Sequence, residues 1–264
     1  MNIFYHECKA LGKSSFFWTL SLVLVAIVFL SLFPAFSKDA EATKRLLEGF
    51  PKEILQAMGL SLEIFFSILG YYSFVFVYIV LCGSIQAMNF GLSILSKEVR
   101  DKTTDFLLTK PIKRYQIMTA KLSAVVVSLL LTNFFYVLFA YITISLFTET
   151  AMNNRVFLLI SFSLLFVQLL FFALGVLVSV VVPKIKSVLT YSLAIVFGFF
   201  ILDLFNEIIG EKAIRYLIPF KYFDSLYIMN HSSYELPFVI LAITVFVTFI
   251  SVSYVIYGKK DFLC

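Results

Sequence analysis

Residues 97–121 read Lys97-Glu98-Val99-Arg100-Asp101-Lys102-Thr103-Thr104-Asp105-Phe106-Leu107-Leu108-Thr109-Lys110-Pro111-Ile112-Lys113-Arg114 and run on to Lys121. This island holds seven of the 21 basic residues of a chain that is 61% hydrophobic. Long apolar runs flank it, at 64–90 and 122–147. Charge between two such runs has to lie in water beside a membrane, because an ion in hydrocarbon is costly. The pattern sets the fold class: helices that cross a bilayer, joined by segments in the flanking water.

Composition extends this to the whole chain. Mean hydropathy is +0.98. Charged residues make up 14%, against about 25% in ordinary soluble domains. Runs of roughly 18 or more apolar residues mark spanning helices. Six are present, at 15–36, 64–90, 122–147, 156–182, 188–209 and 236–257. At 1.5 Å per residue each crosses a hydrocarbon core of about 30 Å. The runs are continuous, without the dyad alternation of a barrel strand. The first is too long for the h-region of a signal peptide. The 32 Phe and 14 Tyr suit lipid-facing surface and interfacial belts. The expected fold is an all-α membrane protein, with residues 1–264 as a single transmembrane domain.

Charge counting orients it. With six spans, residues 1–14, 91–121, 183–187 and 258–264 share one side. They carry 13 Lys/Arg and five acids, and the rest of the chain carries eight and eleven. Inner loops are rich in Lys/Arg, so that side is the cytoplasm and both termini lie there. The excess of positive charge then faces anionic lipid, not nucleic acid.

Several segments carry further signals. Ile3, Phe4, Cys8 and Leu11 follow helical spacing, which predicts an amphipathic helix over 2–13 lying on the inner membrane surface. Gly12-Lys13-Ser14 lacks the earlier Gly and the preceding strand of a phosphate loop, so this chain has no nucleotide site of that kind. The outer loop 37–62 has room for short helices at 40–47 and 52–60. Residues 210–235 are too apolar for a solvated connector, and Pro219 breaks them. Two half-helices entering the outer leaflet and an interfacial amphipathic helix both fit. Cys8, Cys82 and Cys264 show no paired spacing and read as free thiols.

Within the island, Leu95, Val99, Phe106 and Leu107 fall near one helical stripe. Ser96 is placed to N-cap a helix that runs to Leu108, and Pro111 stops it. Lys113, Arg114 and Lys121 then mark the membrane boundary, where they can meet lipid phosphate. A solvated loop anchored by positive-inside charge is the plain alternative. Length argues against it: helix connections are usually 2–8 residues, and this one is about 31.

Glu98, Asp101-Lys102-Thr103, Phe106-Leu107-Leu108, Thr109-Lys110-Pro111, Lys113-Arg114 and Lys121 together resemble the cytoplasmic signature of ABC-2 type transporter permeases. The subgroup it is similar to includes permeases of copper-enzyme maturation and of peptide and antibiotic export. Tyr216-Leu217-Ile218-Pro219-Phe220-Lys221-Tyr222-Phe223 also looks like the family's outer segment. Lys102-Thr103 stands where many members have Gly-Thr. The resemblance implies an N-terminal interface helix and a coupling helix between spans two and three. It implies that Glu98, Arg100, Asp101, Lys102, Thr103 and Phe106 dock on a separate ATPase subunit. Two ATPases and two permease copies, identical or homologous, would form the complex. ATP and Mg would belong to the ATPase, with no cofactor in this chain. A bacterial plasma membrane is the implied location and export the implied direction. The importer loop motif is missing from the inner face; Glu41-Ala42-Thr43 lies outside.

Polar residues inside spans complete the inventory. Asp203, Asn206 and Glu207 share a helical face near the outer end of span five. An exit mouth, a hinge into 210–235 and a wet helix end all fit. Asn133 and Gln168 lie deeper, where amides join helices. Gly175 with Ser179 and Ala87 with Gly91 have the small-xxx-small spacing of close helix contact, within one chain or between two. Tyr71, Tyr72 and Tyr78 place hydroxyls in span two, along a conceivable path. His6 and His231 lie on opposite sides, and no metal or catalytic set is legible. An ion-coupled secondary transporter and a non-transporting scaffold of a maturation or sensor complex remain alternative classes.

Overall fold

Uninterrupted apolar sequence favours long helices, since each added residue closes a hydrogen bond that lipid cannot replace. The computed structural model has this form; it describes residues 3–38, 44, 49, 51, 55, 64–100, 113–147, 152–182 and 185–259. Side chains of 98–100 and 212 are outside that description. The long helices are α1 (Ile3–Ser31), α3 (Ile68–Arg100), α4 (Arg114–Phe147), α5 (Asn154–Val181), α6 (Val188–Ile209) and α9 (Leu236–Lys259). All six are long and apolar enough to cross a membrane. Short α2 (Phe33–Lys38) follows α1. Between α6 and α9 lie α7 (Lys212–Arg215), a 3-10 turn (Pro219–Lys221) and α8 (Ser225–His231). Among the described residues there is no strand.

The N-terminal segment departs from expectation. Residues 3–13 are the opening turns of α1, continuous with the first span, rather than a separate surface helix. No proline interrupts them, and extending one helix avoids a second nucleation. Pro34 does interrupt: it has no N–H to give the preceding turn, and α1 ends just before it. The short helices expected at 40–47 and 52–60 fall largely outside the described residues.

Helices α3 and α5 form the centre. They pack against each other more extensively than any other pair, and α1 packs along α4. Gly91 of α3 meets Gly175 of α5 so closely that a Cβ on Gly91 would stand 2.5 Å from the Phe172 carbonyl oxygen. The two small-residue motifs therefore face each other inside one chain. The outer faces of α6 and α9 are mostly exposed apolar surface, suited to lipid.

Hydrogen bonds between spans run through this core. Asn133 Nδ2 donates to Gln168 Oε1 at 2.5 Å, and Gln168 Nε2 reaches Gln86 Oε1 and the Gly83 carbonyl, both at 3.3 Å. Gln86 Nε2 donates to Thr132 Oγ1 at 3.0 Å, and Thr132 meets Thr19 of α1 at 2.9 Å. Four helices are thus linked, as expected for Asn133 and Gln168. Tyr72 lies fully buried between Tyr136 and Ser161, 2.8 and 2.7 Å away. Tyr71 is buried too and donates to the Phe29 carbonyl at 2.8 Å. Both tyrosines serve packing, and neither faces an open path.

Candidate functional sites at the two membrane faces

At its C-terminal end, α3 continues through Ser96 to Arg100 as one helix. Ser96 is not an N-cap; its hydroxyl donates to the Leu92 carbonyl at 2.5 Å. The segment from 92 to 100 holds neither Gly nor Pro, so nothing in it breaks the helix of span two. Glu98 and Arg100 lie on helical backbone at its end. Asp101, Lys102, Thr103, Phe106 and Pro111 lie outside the described residues.

Lys113 is exposed just ahead of α4; its N–H donates to Gln116 Oε1 at 3.3 Å, and its ammonium lies 5.9 Å from the Tyr115 ring centre. Arg114 opens α4. Lys121 corrects its expected place at the lipid boundary, because only 1% of it is exposed. Its ammonium donates to the Ile94 carbonyl at 3.0 Å and pairs with Glu7 of α1 at 3.5 Å. Three helices meet there. Helical phase turns Lys121 inward beside Met118, Leu122 and Val125, which are also buried. Glu7 was missed; the one signal for it was a lone acid in the apolar opening turns of α1.

At the opposite end of the bundle, residues 210–235 fold back on the spans. Gly210 ends α6 with φ 71°, a left-handed geometry that costs glycine little, and its N–H bonds the Asn206 carbonyl at 2.8 Å. Ile218 takes an extended conformation before Pro219, as that proline demands. Phe220 then packs on Phe171 of α5 and Phe223 stacks on Phe166, with ring centres 5.0 and 5.2 Å apart. Arg215 lies 4.0 Å from the centre of the Phe238 ring and pairs with Glu235. Tyr222 and Tyr234 donate to the Tyr216 and Leu159 carbonyls at 2.6 and 2.7 Å. Burial pushes both phenols above their usual range, so they stay protonated donors.

This fold-back lines a partly open cavity of about 250 Å³ together with α3, α5 and α6. Asp203 and Glu207 line it together with Lys221 and Asp224. Lys221 contacts Glu207 directly and lies 3.8 Å from Asp203. Asp203 and Glu207 thus share a lysine at the rim of a partly open cavity. Asn206 is buried beside them but does not line the cavity. Lys221 and Asp224 were missed as members of this site. A lone lysine in the aromatic run 216–223 was the only sequence signal. Among the described residues no three His, Cys, Asp or Glu side chains are grouped to hold a metal.

The model of the ABC-2 family transporter proteins matches residues 1–262. The chain belongs to that family. As an ABC-2 permease it is a multi-pass membrane protein and a transport subunit of an ABC transporter rather than a catalytic one. The family works with ABC ATPases, which puts interest on the α3 end as well as the outer cavity. No curated protein matches the chain.

Proposed function

We propose that this chain is the membrane subunit of an ATP-driven exporter, with ATP and Mg bound by a separate ATPase. Two permease copies and two ATPases make the complex. The residues at 98–106 are the docking element: Glu98, Arg100, Asp101, Lys102, Thr103 and Phe106. Lys113 and Arg114 hold the base of that element to lipid headgroups. Both termini lie in the cytoplasm, at a bacterial plasma membrane.

One observation carries the reading. Helix α3 has 33 residues, about 50 Å at 1.5 Å per residue, against a hydrocarbon core of about 30 Å. The central helix of the bundle therefore runs well beyond the lipid and ends at Glu98 and Arg100. Movement of its tip reaches α5 through the Gly91–Gly175 contact. The Lys121 tie connects the same helix to α1 and α4. A push on the 98–106 element has a stiff route into four spans.

The test is affinity purification of the tagged permease from native membranes. A vanadate-sensitive ATPase should co-purify in about equal amount. The double variant Glu98→Lys/Asp101→Lys should keep its helicity and unfolding midpoint but uncouple ATP hydrolysis from transport. Loss of interface charge pairs costs about 2 kcal/mol or more, so affinity for the ATPase should fall about thirtyfold and its recovery with it. Unchanged ATPase recovery and transport in the double variant would refute the docking role. Absence of any ATPase with the wild type would refute the exporter reading.

A further inference from the structure

We propose that the outer cavity binds a small organic ammonium group carried on an apolar stem, and that such amphiphiles are the permease's substrate class. The substrate role rests on the transport function proposed above. A volume of about 250 Å³ has room for about eight water-sized groups at roughly 30 Å³ each. That suits the head of an amphiphile, since pockets for whole drug-sized ligands start near 300 Å³.

Charge selects the head. Three carboxylates, Asp203, Glu207 and Asp224, line the cavity with one cation, Lys221. Acids outnumber the lysine three to one, which disfavours anions. The acids are unequally used. Glu207 holds Lys221 directly. Asp224 Oδ1 accepts from the Leu226 and Tyr227 N–H groups as the N-cap of α8. Asp203 Oδ1 is buried, stands 3.8 Å from the lysine ammonium and accepts no hydrogen bond. A buried acceptor left unmade is costly. An ammonium entering the cavity meets in Asp203 a carboxylate that Lys221 holds only at 3.8 Å, while Lys221 keeps its closer contact with Glu207.

The walls select the stem. Phe76 and Val80 of α3, Val167 of α5, and Phe200 and Phe220 give an apolar and aromatic lining. Ring faces attract a cation as well as an alkyl or aryl body. The cavity draws lining from both α3 and α5, the two helices in closest contact, so an occupant touches the same pair that extends to the inner face.

The test uses the full-length permease in phosphatidylglycerol nanodiscs, without nucleotide, titrated calorimetrically with phenethylammonium, 2-phenylethanol and phenylacetate. Phenethylammonium should bind about tenfold or more tightly than the alcohol, the scale of one charge-assisted hydrogen bond. Phenylacetate should not bind. Asp203→Asn should erase the advantage of the ammonium. Lys221→Gln should raise ammonium affinity, because both carboxylates are then released. Improved binding cannot come from a misfolded variant, so Lys221→Gln keeps the test decisive. Equal binding of alcohol and ammonium, or no gain in Lys221→Gln, overturns the proposal. Added phosphatidylethanolamine separates the sources: competition assigns the amine to lipid, and unchanged binding assigns it to a soluble amphiphile. Lost binding with intact ATPase recovery overturns this site alone. Intact binding with no recovered ATPase overturns the exporter reading alone.

Discussion

Replacing Gly175 by Ala should loosen the whole bundle from its centre. A Cβ there would lie 2.8 Å from the Met88 carbonyl oxygen and 3.1 Å from the Gly91 Cα. At Gly91 the new atom would lie 2.5 Å from the Phe172 carbonyl oxygen. Ordinary contact begins near 3.4 Å, so relief needs about 0.6 Å of separation for Gly175→Ala and about 0.9 Å for Gly91→Ala. The obstructing atoms are backbone, which a rotamer change cannot move. Overpacking of this kind costs about 1–3 kcal/mol. The separation also strains Gln168, whose bonds to Gly83 and Gln86 cross the same interface at 3.3 Å. Each such bond in a membrane protein is worth about 0.6 kcal/mol. The expected loss is about 2–4 kcal/mol, larger for Gly91→Ala. Gly198 of α6 has nothing within 4 Å of its would-be Cβ, so Gly198→Ala should be neutral or stabilising by about 0.5–1 kcal/mol. Equilibrium unfolding in mixed micelles, followed by circular dichroism, measures all three. The double variant should lose less than the sum, because one separation relieves both clashes. If Gly175→Ala unfolds with Gly198→Ala, the inferred contact between α3 and α5 is refuted.

The inner tie makes a second case. Lys121→Met leaves Glu7 buried without its cation and should cost about 3–5 kcal/mol, whereas Glu7→Gln/Lys121→Met should recover much of that; unfolding midpoints of the two variants decide it. At the outer face, Tyr234→Phe removes the donor to the Leu159 carbonyl. It should cost about 1 kcal/mol and speed amide exchange across 212–235 while leaving α3 unchanged, as hydrogen–deuterium exchange would show.

Six spans were legible because hydrophobic length is a local property: about twenty apolar residues can satisfy lipid in only one way. Element boundaries at α6 and α9 followed for the same reason, with Ser187 capping α6 and Gly210 ending it. Sequence also marked Asn133 and Gln168 as ties between helices, since a buried amide in hydrocarbon must find a partner. It misjudged Ser96, because a Ser inside a continuing helix and a Ser at an N-cap look alike until the preceding residues are seen to be helical. It placed Lys121 at the lipid surface, because positive-inside counting records which side a charge is on and not which way it points. Glu7 and Lys221 went unseen as partners for a related reason: a lone charge has meaning only beside the groups it meets.

What the sequence determined alone was the solvent of each segment: which stretches suit hydrocarbon, which suit water, and so how many times the chain crosses. Each of those answers depends on a residue and its neighbours in the chain. What only tertiary structure decided was pairing. Gly91 against Gly175, Lys121 between Glu7 and Ile94, and Lys221 between Asp203 and Glu207 join residues far apart in the chain. Helical phase and crossing geometry bring them together, and neither is carried by a segment read by itself. The island at 97–121 shows both sides of this division. Its charge marks it as a segment for water beside the membrane, while its start as the end of a 33-residue helix came from the fold.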